Sequence, residues 1–227
     1  MNDLEKIGEG RSGPAVKRKS RLSPTAAAKR GARSGRPPNE AVARVRLLEA
    51  AIGLCCRKGI ASTSVDEIIE ESGVARMTLY NRYGSKDALI NAALAHEASV
   101  WRAWFFARVA ETAGSPCERL IGVFDILDQW FRREDYFGCA LMNAAMECRN
   151  RDPKLAEIIG NHKSYVLEQL RALVSAAGVE DIELVTQQFD LLMDGAIVKA
   201  AIKKSPAPAS EAKRIAQALL LHAGREE

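Results

Sequence analysis

Apolar residues recur at steps of three and four through nearly all of residues 39–227, and no stretch alternates in the manner of a strand bounded by hairpin turns. Val45, Leu48, Ile52 and Cys55 form a stripe that predicts a first amphipathic helix. Gly59, able to take a left-handed conformation, closes it. Two adjoining stripes, Leu89, Ala93, Val100, Trp104 and Ile90, Leu94, Trp101, Phe105, predict one long helix. Leu120, Val123, Phe124, Leu127, Trp130 and Phe131 predict another. Asp152-Pro153 is a start signal, with Asp as cap and Pro at the first helical position, where its missing N–H costs nothing. Leu155, Ile159, His162, Val166, Leu170 and Leu173 carry that helix to Gly178. Ile182, Val185, Phe189, Leu192, Ala196 and Ala200 predict a long penultimate helix. Pro206 and Pro208 break the chain, and Ile215, Leu219 and His222 mark a short last helix. The fold class is all-α.

Between the first two long patterns lies a denser signal, from Thr63 to Leu89. Ser64 and Glu67 stand at capping-box spacing before a short helix whose apolar side is Val65, Ile68 and Ile69. Gly73 permits a tight turn, and Val74 and Leu79 anchor a second short helix. Two short helices joined by a glycine-containing turn make a helix-turn-helix, in which the second helix enters the major groove of DNA by its N-terminal residues. Asp66, Glu67, Glu70 and Glu71 repel phosphate, so they are expected mainly on the outer face of the first short helix.

Gly73-Val74, Thr78-Leu79-Tyr80, Tyr83, Ser85-Lys86 and Ala88-Leu89, with the Thr63-Ser64-Val65 start, resemble the signature of the tetracycline-repressor (TetR) family over about Ala41 to Ala95. The remainder matches as an all-helical domain of suitable length. The resemblance implies an N-terminal three-helix helix-turn-helix domain followed by a helical ligand-binding and dimerisation domain. It implies a homodimer on a near-palindromic double-stranded DNA operator, acting as a repressor released by a small-molecule effector, here unknown. Carried over by position, Arg76, Met77 and Thr78 face bases. Tyr80, Tyr83 and Lys86 meet phosphates, as does Thr63 or Ser64. Two positions depart from the family pattern. Ala75 replaces a capping Ser or Thr, and Met77 replaces a small residue, so base preference does not transfer from relatives. The last two helices are the implied dimer surface, with Phe189, Leu192 and Met193 either in it or in the intrachain core.

Composition, 47% hydrophobic and 27% charged, is that of a globular protein. The net charge of +4 is unevenly spread. Residues 1–38 hold 10 Lys/Arg against 3 Asp/Glu, residues 39–96 hold 7 of each, and residues 97–227 hold 16 against 19. Residues 1–38, rich in Gly, Ser, Pro, Ala and Lys/Arg with few large apolar residues, are expected to be a disordered basic tail, and the resemblance implies a DNA-binding domain (39–96) and a helical ligand-binding and dimerisation domain (97–227). The tail points to a polyanionic partner. Its Ser34-Gly35-Arg36-Pro37 reads either as a minor-groove hook inserting Arg36, supported by Lys29, Arg30 and Arg33, or as a solvated basic leader. With no long apolar run and no signal-peptide core, the expectation is a cytoplasmic protein with no membrane partner.

Five cysteines show neither zinc-type spacing nor a CxxC pair, so reduced thiols, no metal and no cofactor are expected. Nine residues separate Cys139 from Cys148, too far for a direct bridge along one helix. No nucleophile elbow, phosphate-binding glycine loop or HExxH argues for an enzyme. An architectural DNA-binding protein without sequence preference or ligand response is the other reading. Aromatic and Met residues crowd residues 101–193. Trp104, Phe124, Met142, Asn143, Glu147 and His162 are the candidate ligand-binding residues. Asn143 and Glu147 share a helix face at four-residue spacing, and His162 interrupts an apolar stripe. Each has a plainer alternative, as core packing, a satisfied core histidine or helix solvation.

Overall fold

A computed structural model describes residues 40–148 and 152–223. Among them are nine helices and no strand: α1 (Glu40–Lys58), α2 (Val65–Ser72), α3 (Arg76–Tyr83), α4 (Lys86–Glu111), α5 (Pro116–Phe131), α6 (Ala140–Cys148), α7 (Pro153–Ala176), α8 (Ile182–Lys203) and α9 (Ala207–Ala223). The basic tail, with Arg36 and the Gly-Arg-Pro motif, lies outside the described residues.

The helices pack around two apolar cores. One, in the head, joins α1, α2, α3 and the first turns of α4 through Leu47, Leu48, Ile68, Leu79, Leu89 and Leu94. The other, in the body, joins α4 beyond Trp101 to α5, α7, α8 and α9 through Phe105, Phe124, Leu170 and Phe189. α4 serves both. Its 26 residues span about 39 Å at 1.5 Å per residue. A boundary at residue 96 therefore falls inside a rigid rod, and the head is carried on the rod that lines the body.

Local chemistry explains the ends. The Ser64 hydroxyl accepts from the Glu67 N–H at 3.3 Å while the Glu67 carboxylate accepts from the Ser64 N–H at 3.0 Å. A second capping box, Ser115 with Glu118, starts α5 with Pro116 at its first turn. The Asp152 carboxylate accepts from the Lys154 and Leu155 N–H groups to start α7. Three expectations need revision. Val45 lies on the exposed side of α1, while Leu48, Ile52 and Cys55 of the expected stripe are buried together with Ala43, Leu47, Ala50, Ala51 and Leu54. Pro208 does not break the chain. It sits in the first turn of α9, where an N–H has no intrahelical partner to lose. Nor does Ile215 face inward: α9 buries Ala209, Ala212 and Ala216, small residues that let it lie close on its neighbours, and Ile215 stands 51% exposed. The side chain of His222 is outside the described set.

Candidate nucleic-acid interface

The turn between α2 and α3 is built on Gly73, at φ 65°, whose N–H donates to the Ile69 carbonyl at 2.9 Å. A Cβ in that left-handed conformation is strained, so glycine is what lets the chain reverse here. α3 opens at Ala75 in an extended conformation with no side-chain cap. Only Leu79 of α3 is fully buried, pinning it to the head core. Arg76, Met77 and Tyr80 point out, with Met77 67% exposed, and Thr78 is half-buried. A helix this polar, held by Leu79 and the partly buried Tyr83, presents most of its surface to whatever approaches.

The candidate contacts divide. Arg76, Met77, Tyr80 and Ser64 lie on the surface. Arg76 pairs there with Asp66, which the sequence did not single out as a partner and which therefore faces α3. Thr63 is buried, its hydroxyl donating to the Gly59 carbonyl at 2.7 Å. The Tyr83 hydroxyl is buried with no hydrogen-bond partner. Lys86 turns inward, its Nζ donating to the Thr63 carbonyl at 2.9 Å and the Ile60 carbonyl at 3.3 Å. Three other basic groups of the head are matched by acids: Arg57 with Glu71, Lys58 with Glu67, and Arg82 with Glu40. Hydrogen bonds from Lys58 and Ser64 hold the Glu67 carboxyl down to about 2.

The family model for bacterial regulatory proteins of the tetR family matches residues 47–93, a span from α1 to α4 that includes the whole turn motif. Over 180 residues the chain is 22% identical to the HTH-type transcriptional regulator YjdC of Escherichia coli K12, covering 78% of this chain and 93% of that protein. It is 30% identical over 91 residues to the HTH-type transcriptional repressor KstR2 of Mycolicibacterium smegmatis, covering 39% of this chain and 42% of that one. The crystal structure of SCO4454, a TetR-family transcriptional regulator from Streptomyces coelicolor, superposes with a TM-score of 0.74 at 24% identity, over 81% of this chain and 96% of that one. The chain carries a helix-turn-helix domain of the tetR family and is a DNA-binding transcriptional regulator.

In this regulator the six candidate ligand residues do not share one cavity. Phe124 is fully buried and packs on Phe189 with ring centroids 5.8 Å apart, a core role. Met142 packs half-buried against the body core. Asn143 and Glu147 line a cleft of about 220 Å³, counting its open mouth, between α1, α4 and α6. Their polar ends are already engaged. Asn143 donates from Nδ2 to the Phe137 carbonyl at 3.0 Å. The two Glu147 carboxylate oxygens accept from the N–H groups of Ile60 and Ala61 at 2.8 and 2.6 Å. The α1–α2 loop is thus gripped from two sides, its carbonyls by Lys86 of α4 and its N–H groups by Glu147 of α6. Spacing along the chain carries no sign of such a contact, made across 86 and 87 residues. Trp104 and His162 fall in a separate aromatic group deeper in the body.

Proposed function

We propose that the regulator is a repressor that binds a near-palindromic operator as a homodimer and responds to a small-molecule effector, acting in the cytoplasm where its DNA is. The reading is carried by the outward face of α3. Arg76, Met77 and Tyr80 are exposed on a helix whose N-terminal turn is free to meet base edges. In this reading Arg76, Met77 and Thr78 read bases, while Ser64 and Tyr80 meet phosphates. Lys86 contributes by holding the loop that precedes Ser64, and the basic tail with Arg36 adds charge.

Support for a dimer comes from the far end of the body. Leu184, Leu191 and Val198 stand at seven-residue spacing on α8, with Ile202 one turn on, all exposed. Gly195 lies among them, with nothing within 4 Å of a Cβ built on it. Leu191 is 73% and Ile202 75% exposed, and Ile215 and Leu221 of α9 are exposed as well. An apolar stripe with a small residue inside it suits close packing against a second helix pair. The test is operator selection from a random DNA library, with sedimentation of the selected complex. A palindromic motif bound by two copies supports the reading. Enrichment of no motif favours an architectural DNA-binding protein.

A further inference from the structure

Three ring nitrogens in the body are shut off from solvent without a hydrogen-bond partner: Nε1 of Trp101, Nε1 of Trp104 and Nδ1 of His162. Buried polar groups are nearly always satisfied in folded proteins, so such a group calls for a water, an ion or a ligand. Trp101 and Trp104 are one turn apart on α4, and the Trp101 ring meets the His162 ring edge to face at 5.5 Å. Trp101 and His162 are each more than nine-tenths buried. Around them stands an aromatic wall. Trp101 stacks on Phe105 with centroids 4.6 Å apart and planes at 11°, and it touches Trp130 at 5.4 Å. Trp130 in turn meets Tyr136 edge to face at 5.1 Å.

We propose that Trp101, Trp104 and His162 form the effector site, and that it takes a flat, uncharged aromatic compound bearing carbonyl oxygens. The proposal rests on the ligand-responsive reading above. Flatness follows from the rings packed around Trp101, between which a planar group is the shape that fits. Carbonyl oxygens follow from the indole N–H group, which only donates. Neutrality follows from the surrounding charge. Lys163 is engaged by Asp190 at 2.7 Å and Asp194 at 2.8 Å. Arg102 lies over the Tyr165 ring, 5.0 Å from its centroid. By count these two cations and two carboxylates balance, although the cations are the charges that His162 feels. His162 adds no charge, since burial and the nearby Arg102 and Lys163 push it down to about 4. An organic cation is the chemical rival: it suits aromatic faces but leaves both indole N–H groups unpaired. Seating a ring here parts Trp101 from its neighbours, and Trp101 belongs to the helix that carries the head.

All three tryptophans of the chain belong to this group, so three indole ¹⁵N–¹H resonances report on it alone. The full-length regulator is titrated with 4-hydroxyacetophenone, and with benzoate and choline as charged comparators. The expected result is a saturable downfield shift of the Trp101 and Trp104 resonances with 4-hydroxyacetophenone. Trp101→Phe, which keeps a ring and removes the N–H, and His162→Leu are each expected to weaken it about tenfold. Should either variant fail to melt cooperatively, the wild-type titration decides. Shifts with choline or benzoate but not the ketone overturn the ligand class. Indole protons already bonded in the free protein, with no shift from any probe, assign the nitrogens to buried water and overturn the site. Operator binding is measured on the same samples. Indole shifts with unchanged operator affinity uphold the site and sink ligand control. Release of operator by a compound that leaves all three indoles unmoved upholds ligand control and overturns this site.

Discussion

Arg76 is the side chain on which specificity is expected to turn. It is exposed at the first turn of α3 and balanced only by Asp66, a surface pair of small worth. Exchanging that carboxylate for guanine O6 and N7 satisfies the same planar donors with base information. Arg76→Ala should cost about 1–3 kcal/mol of operator binding and relax one base pair per half-site, read by library selection at a single salt concentration. Lys86→Ala should behave differently. Removing its ammonium leaves the Ile60 and Thr63 carbonyls without that donor, so thermal stability should fall by about 1–2 kcal/mol and binding to all DNA sequences should weaken alike. Unchanged melting with weakened binding would return Lys86 to a direct phosphate contact. His162 supplies a pH signature. Its folded value of about 4 lies below the ordinary 6.5, so the unfolded chain binds the extra proton between them. The neutral ring's contribution is fully present above about 6.5 and is lost as pH falls toward about 4. His162→Gln should flatten stability over that window in a pH series of denaturant melts.

At the scale of whole elements, α8 presents two faces with opposite duties. Phe189 and Met193 are buried in the body core, so Phe189→Glu should unfold the body and not merely separate subunits. The sequence pattern placed Phe189 on the helix's apolar side but could not say which apolar residues faced the same chain. Leu191→Glu with Ile202→Glu should leave helicity and melting nearly intact and yield monomers by sedimentation, with operator affinity lost because two half-sites are no longer engaged together. A stable dimer in that double variant would remove the stripe from the interface. α6 offers the matching test for communication. Glu147→Ala frees the Ile60 and Ala61 N–H groups. The α1–α2 loop should then exchange its amide hydrogens faster, and any effector-driven release of operator should weaken while effector affinity holds. Unaltered exchange at Ile60 and Ala61 would show that the grip is idle.

Across the whole molecule, charge and shape are separated in the chain. The basic excess lies in residues 1–38, while residues 97–227 carry an excess of acid. Deleting residues 1–35 with Arg36→Ala should lower affinity for all DNA and flatten its dependence on salt, because fewer counterions are released. An unchanged salt slope would make the tail a passive leader. Among the described residues no helix is long and apolar enough to cross a membrane.

The sequence alone was enough for whatever depends on neighbours within a turn or two. The capping box at Ser64 and Glu67, the left-handed Gly73, the start at Asp152-Pro153 and the apolar periods of α4, α5 and α7 are local, so residue type and spacing determine them. The helix-turn-helix was legible for that reason, and with it the exposed face of α3. Tertiary structure decided what depends on who else arrives. It turned Lys86, Tyr83 and Thr63 inward, spent Glu147 on a loop 87 residues away, and split the six candidate ligand residues among a core, a cleft and an aromatic group. Periodicity tells which side of a helix is apolar. Whether that side meets its own chain, a second copy or a ligand is a matter of long-range packing, and no local pattern encodes it.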